Sequence, residues 1–294
     1  FNRDFIYRYK KLTEITLQGY EVILSPAFSR EFFYADAIVK LLKAKEKIGS
    51  IGDLSNIKRW QKYISDKYYD KLIKADENII FEFYRNKEFF ENLSGESISI
   101  TKPSISLSKR ESPISLPSGK YAVIFLGASA DFRQWPVSSF AKVAQFLVDD
   151  YQFEIILCGA PFEQKSAKQF KNIFTRKCID LVGKTSLFEL LYVLQGAELL
   201  LSNETSAPHF AVALEMTNVF VISNGNHYGR FTPYPKAVSE DCHVIFHPEI
   251  EKDLDDHKNL SNSYGYGSDL NINDISVEIV KKKISNILNI KHKD

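Results

Sequence analysis

Only three cysteines occur in 294 residues, and no CxxC pair is among them, which leaves little room for a disulfide framework or a thiolate metal cluster. Cys158, Cys178 and Cys242 read as buried thiols in a reducing compartment. Long apolar runs are scarce too: nothing approaches the roughly 20 residues that span a bilayer, and the sequence opens without a charged-then-apolar leader. A cytoplasmic protein is the expectation. Charge of one sign is also lacking. With 38 Lys and Arg against 37 Asp and Glu, the formal net charge is +1, so no global field recruits nucleic acid or a membrane. No GxGxxG, Walker loop or Ser-His-Asp arrangement is found. His243 and His247 have HxxxH spacing, but the Val-Ile-Phe between them favours a strand, which separates the imidazoles; no metal site is expected. Aromatics are plentiful, with 22 Phe and 15 Tyr, and core packing is the plain reading of most of them.

From Tyr121 onward, short apolar runs alternate with helical stretches. Strands are expected at Tyr121–Leu126, Phe153–Leu157, Ile179–Val182, Glu198–Leu201 and Asn218–Ile222. Helices are expected at Pro136–Asp150, Glu163–Ile173, Ser186–Leu194 and Ala207–Leu214. Ser186 followed by Glu189 has the spacing of a capping box. This alternation predicts a doubly wound, parallel α/β domain of Rossmann type. The first hundred residues are less regular. Glu21–Leu24 and Asn78–Phe83 suit strands, whereas Phe32–Ala44 and Ile57–Ile73 suit amphipathic helices. The second of these interleaves Lys and Arg with Trp60 and tyrosines, but balancing acids make a solvated helix a better reading than a nucleic-acid surface. The Ser/Pro/Gly-rich stretch 101–119 reads as a linker. The expected organisation is therefore 1–100, the linker, a nucleotide-binding domain at 120–250, a polar loop at 251–271 and a C-terminal helix at 272–290 that Asp274 can cap.

In an open parallel sheet, ligands bind beyond the carboxyl ends of the strands. Four polar loops leave those ends: Gly127–Trp135, Gly159–Glu163, Gly183–Leu187 and Asn203–His209. The last runs straight from a strand into a helix that opens with Thr205, Ser206 and Pro208. Its unpaired N–H groups and positive dipole end suit a diphosphate. Glu204 is ill placed to face such an anion and is expected to meet sugar hydroxyls or a cation. An ordinary capped helix, with His209 as a packing residue, accounts for this segment equally well. Arg133, on the loop after the first strand of this domain, could hold phosphate from the opposite side.

Together the loops resemble glycosyltransferase family 9, the family of the lipopolysaccharide heptosyltransferases. Leu126-Gly-Ala-Ser129 with Arg133-Gln-Trp-Pro136 is similar to its first block, and Gly159-Ala-Pro-Phe-Glu163 to its second. Leu181-Val-Gly-Lys-Thr-Ser-Leu187 is similar to the third, and Asn203-Glu-Thr-Ser-Ala-Pro-His209 to the fourth. The resemblance implies a GT-B fold of two Rossmann-like domains, the N-terminal one truncated here because its opening strand and Gly-rich loop are not found. It also implies an inverting, metal-independent transferase that takes a nucleotide-diphosphate sugar, ADP-heptose in the best-known members, and needs no cofactor. By position, Ser129 and Arg133 would contact phosphate, Glu163 the ribose, and Thr185, Ser186 and Leu187 the base. Glu204, Thr205, Ser206 and His209 would hold the diphosphate and donor sugar, with Arg133 and Glu204 the catalytic candidates. The acceptor would be a lipid-linked or oligosaccharide chain, met at the inner membrane face.

Departures from the family pattern matter. Arg133 replaces a lysine, Glu204 an aspartate and Ser206 a glycine, and Ser223–Pro235 differs from the usual short loop. Asp36 and Asp53 are available carboxylates that nothing in the sequence places, so no general base is assigned. Two other functions remain open: a nucleotide-sugar epimerase or hydrolase of the same fold, and a non-catalytic nucleotide-binding module.

Overall fold

In the computed structural model the described residues are 5–108 and 114–291, and they form two units, Phe1–Ser99 and Ile100–Asp294. Part of the expected linker, 109–113, lies outside the described residues.

The first unit runs α1 (Phe5–Thr16), β1 (Tyr20–Ser25), α2 (Ala37–Leu41), β2 (Ala44–Ser50), α3 (Arg59–Ser65), β3 (Lys71–Ile73) and α4 (Glu82–Ser94). Its strands make a parallel sheet in the order β1-β2-β3. Several expectations are corrected here. The helix expected over Phe32–Ala44 is a wide turn, closed by the Asp36 N–H on the Glu31 carbonyl, followed by the short α2. Ile57–Ile73 divides into α3, a tight turn at Asp66–Tyr68 and β3, because Leu72 and Ile73 pair with Gly49 and Ser50. Asn78–Phe83 is not a strand: Glu82 opens α4, where Arg85 and Phe89, one turn apart, are buried, and Gly95 ends the helix in the left-handed region. A short apolar run does not by itself separate a strand from a buried helical turn.

The second unit contains β4 (Tyr121–Phe125), α5 (Val137–Tyr151), β5 (Glu154–Cys158), α6 (Gln164–Ile173), β6 (Cys178–Asp180), α7 (Leu187–Gln195), β7 (Leu199–Asn203), α8 (Ser206–Ala213), β8 (Val219–Ser223) and β9 (Cys242–Phe246). Helices α9 (Pro248–Glu251), α10 (His257–Tyr264) and α11 (Val277–Lys291) follow. The all-parallel sheet has the order β6-β5-β4-β7-β8-β9: strands are added to one side from β4 to β6 and to the other from β7 on, so the strand order switches between β4 and β7. Alternate residues of each strand serve opposite faces. Ala122, Ile124, Leu157 and Leu201 pack with α5, α6 and α11, while Val123, Ile156, Leu200 and Val221 pack beneath α7, α8 and α10. Burial on both faces explains why these strands read as continuous apolar runs. Each fully buried Leu, Ile or Phe here contributes about 1.5–3 kcal/mol.

The polar segment 251–271 is not a simple loop. Asp256 caps α10 by accepting the Asn259 N–H at 3.1 Å, and Leu260 is buried against the sheet. Ser276, not Asp274, caps α11, its Oγ accepting from Ile279 N at 3.2 Å; Asp274 faces His247 Nε2 at 3.2 Å. Between Cys242 and Phe246, His243 lies on β9, so the HxxxH pair is not on a helix. Among the described residues, no helix is long and apolar enough to cross a membrane.

Candidate functional site

Where β4 and β7 diverge, the two loops beyond them are joined by one side chain. Asn203, fully buried at the end of β7, accepts the Trp135 N–H at 2.9 Å and donates to the Leu126 and Gly127 carbonyls at 2.8 and 3.3 Å. Trp135, itself buried, donates from Nε1 to the Ile275 carbonyl at 2.8 Å. These bonds fix the turn Asp131–Arg133 at the mouth of the crevice.

Arg133 is held on three sides. Its Nη1 donates to Ser129 Oγ at 3.0 Å, and Nη2 donates to the Glu204 carbonyl at 2.9 Å and to Glu204 Oε1 at 3.1 Å. Glu204 is buried, and its other carboxylate oxygen accepts from Ser223 at 2.7 Å and Thr232 at 3.3 Å. Burial pushes the Glu204 carboxyl above its ordinary range, against the opposing pull of Arg133, Ser223 and Thr232. The Glu204 carboxylate pairs with a cation of its own chain, Arg133. Both carboxylate oxygens of Glu204 are thus engaged within the protein.

Thr205 stands at the N-cap of α8 with extended backbone and makes no side-chain cap bond, so the first-turn N–H groups are not closed by it. Ser206 is exposed beside it. His209 Nδ1 meets Tyr234 Oη, and burial, with a smaller push from Arg133, lowers its pKa below the ordinary value. Ser129, Arg133, Glu204, Thr205, Ser206 and His209 thus line one open cleft of about 440 Å³. His227 and Phe231 complete the lining, two residues that sequence reasoning did not select. The glycines at 225 and 229, both in the left-handed region, were the available signal that this segment folds tightly.

The remaining expected contacts lie on the neighbouring loops, outside that cleft. Glu163 projects over Gly127 and Gly159, where an added Cβ would fall 1.5 and 2.1 Å from its carboxylate oxygens, so both glycines leave room for it. Its Oε2 accepts the Ala160 N–H at 2.9 Å, and burial raises its pKa. Thr185 is half-buried; Ser186 spends its hydroxyl on the Glu189 N–H at 3.2 Å, and Leu187 is exposed. In the first unit, Asp36 is buried and bonded by Tyr69 Oη at 2.7 Å, and Asp53 accepts from Ser29 and Ser55.

The sequence model of glycosyltransferase family 9 (heptosyltransferase) matches residues 8–258. Lipopolysaccharide heptosyltransferase 1 of Escherichia coli (strain K12) is 29% identical over 104 residues, which is 35% of this chain and 32% of that relative's length. The E. coli heptosyltransferase WaaC, solved with ADP, has the same fold at 20% identity: TM-score 0.66, covering 96% of this chain and 77% of that one. A family 9 glycosyl transferase from Veillonella parvula DSM 2008 superposes equally, with TM-score 0.66 at 15% identity, over 96% of this chain and 77% of that one.

Proposed function

The chain belongs to glycosyltransferase family 9, and we propose that it transfers a sugar, with inversion and without a metal, from a nucleoside-diphosphate donor to a cell-envelope saccharide. One arrangement carries this reading: a fixed guanidinium, Arg133, shares a cleft with the N-terminus of α8, whose cap residue makes no side-chain bond. Cation and helix terminus favour the same kind of ligand, a diphosphate. Ser129, Thr205 and Ser206 would add hydroxyl donors. Glu163 on the next loop would meet the ribose, and the 185–187 segment the base. Since Ser186 already caps α7, its share in base contact falls to its backbone.

The chemistry follows from charge. The acceptor hydroxyl attacks the anomeric carbon from the face opposite the nucleotide; its proton passes to a base, and the C–O bond to the diphosphate breaks. Negative charge grows on the departing oxygens, where Arg133 and the α8 N–H groups oppose it without reorganising. The Ser129 hydroxyl and the residue-204 carbonyl would keep Arg133 in place for that moment, while the Glu204 carboxylate offsets part of its charge. ADP, with heptose as the sugar, is the first donor to test, given the similarity to a heptosyltransferase solved with ADP. The acceptor would be a lipid-linked or oligosaccharide chain reached from the cytoplasmic side of the inner membrane.

Calorimetry with ADP, UDP, GDP and CDP tests the donor site, and binding of at least one is expected. Silence from all four removes the diphosphate reading. Arg133→Ala should weaken the bound nucleotide by about tenfold or more; an unchanged affinity would free Arg133 from the role given to it.

A further inference from the structure

The turn Asp131–Arg133 serves two clefts. Arg133 lines the one already described; Asp131 and Phe132 line a second, open pocket of about 430 Å³, whose other wall is the segment 268–273. That volume is within the range of small-molecule sites. Buried Asn224, just past the end of β8, ties the two walls together. Its Nδ2 donates to the Phe132 carbonyl at 3.4 Å and to the Leu270 carbonyl at 2.9 Å, and its own carbonyl accepts from Ser268 Oγ at 2.6 Å. The bond from Trp135 Nε1 to the Ile275 carbonyl joins the same two segments a little further along. The pocket therefore has a shape fixed by hydrogen bonds beneath its floor.

Its chemistry is the reverse of the first cleft's. Among the described residues that line it, none is Lys, Arg or His. The carboxylates of Asp131 and Asp269 take no hydrogen bond and form no ion pair among the described residues, and the Asn273 amide is equally unspent. Phe132 is 55% exposed, and its ring stacks on no other ring among the described residues. Unspent carboxylates repel phosphate and other anions but accept strongly from hydroxyl groups. A bare aromatic ring offers a flat apolar face. A pyranose fits both, with hydroxyls around its rim and C–H groups on its faces. A metal ion fits less well: among the described residues, no group of three or more His, Cys, Asp or Glu could hold one, and Phe132 would have no part in such a site. We propose that this pocket binds an uncharged sugar unit of the acceptor saccharide, with Phe132 against the ring and Asp131 and Asp269 accepting from its hydroxyls. Calling that sugar part of the acceptor rests on the transferase reading above; the pocket's preference for an uncharged sugar does not.

The test uses the full chain and saturation-transfer NMR with the methyl glycosides of glucose, mannose and galactose, each beside the methyl glycoside of its uronic acid. At least one neutral glycoside should bind, with a dissociation constant of about 1–50 mM, while its uronate stays silent. Saturating ADP should leave that signal in place, because Arg133 lines the other cleft. Phe132→Ala should weaken the neutral glycoside by about three- to tenfold. Asp131→Asn together with Asp269→Asn keeps shape and an acceptor oxygen but removes the charge, so the uronate signal should appear. Phe132, Asp131 and Asp269 are all exposed, so these variants are expected to fold, and thermal melting checks that they do. Silence from every neutral glycoside overturns the proposal. So does displacement by ADP, equal binding of glycoside and uronate to the wild type, or an unchanged affinity in Phe132→Ala. Glycoside binding that follows these variants while ADP fails to bind sustains the pocket and removes only the donor site.

Discussion

Each unit sets an arginine against carboxylate, and the two clusters differ in what surrounds them. In the first unit Arg30 is fully buried, paired with Asp36 at 3.7 Å and with the half-exposed Asp66, and it also donates to Ser65 at 3.2 Å. Tyr69 closes that cluster by bonding Asp36, and burial raises its phenol pKa. In the second unit Arg133 and Glu204 form a similar pair, but one side of it opens on the cleft. A sealed ion pair contributes register and order to the core around it. An ion pair with one open side leaves part of its charge exposed to whatever enters the cleft. Chemistry alone does not distinguish the two; their position relative to a strand end does.

The sealed cluster should show the larger response to mutation. Arg30→Met leaves Asp36 buried without its counter-ion and should cost about 3–5 kcal/mol of stability. Denaturant unfolding measures the loss, and hydrogen exchange should place it in residues 5–99. Replacing both partners, Arg30→Met with Asp36→Leu, should recover most of it, because two apolar groups leave no stranded charge. A single variant as stable as wild type would show that the cluster is not sealed.

The open cluster should respond in binding more than in stability. Glu204→Gln keeps the shape and the bonds from Ser223 and Thr232 but removes the charge that offsets Arg133. Arg133 retains Ser129 Oγ and the residue-204 carbonyl as acceptors, so the cleft becomes more positive while its cation stays in place. Nucleoside diphosphate should then bind more tightly, by about three- to tenfold at low salt, with the gain fading as salt rises. Weaker binding would mean that Arg133 needs the Glu204 carboxylate to stay in place.

What was legible in the sequence follows the same division. Strands β4, β5, β7 and β8 of the second unit are buried on both faces, so their apolar runs mark them, and the loops beyond them could be placed at one edge before any contact was known. In the first unit β2 reads Ala-Lys-Glu-Lys-Ile-Gly-Ser and looks like surface; it is a strand because β1 and β3 pair with it and Tyr69 packs over Gly49. Helix α10 escaped notice because Leu260 is the one large apolar side chain it buries. At the site, Arg133 and the α8 cap were readable from their loops, whereas the Arg133–Glu204 bond joins residues 71 positions apart. His227 and Phe231 lie in a segment with no periodicity, so only the fold brings them to the cleft.

Acidification separates the units by a smaller effect. The first unit contains no histidine, while the cleft of the second holds His209 and His227. Both have pKa values below the ordinary 6.5, burial being the main cause, and that of His227 lies at about 4. Below pH 6.5 the unfolded chain takes up protons that the folded cleft refuses, so stability is lost as pH falls from 6.5 toward 4 and is fully present above that window. Glu204 works in the opposite sense: its raised pKa lets the folded state bind a proton before the unfolded chain does, which favours the fold as pH falls. Comparing wild type with His227→Asn isolates the histidine. Trp135 is buried in the second unit and Trp60 lies in the first, so Trp60→Phe leaves a fluorescence signal from the second unit alone. In that background, thermal unfolding should weaken between pH 6.5 and 4.5, and His227→Asn should remove about 1 kcal/mol of the loss once solvent screening of the ring is allowed for. Parallel pH profiles for the two proteins would show that His227 takes up its proton in the folded cleft as readily as in the unfolded chain, against the depressed value its burial gives it.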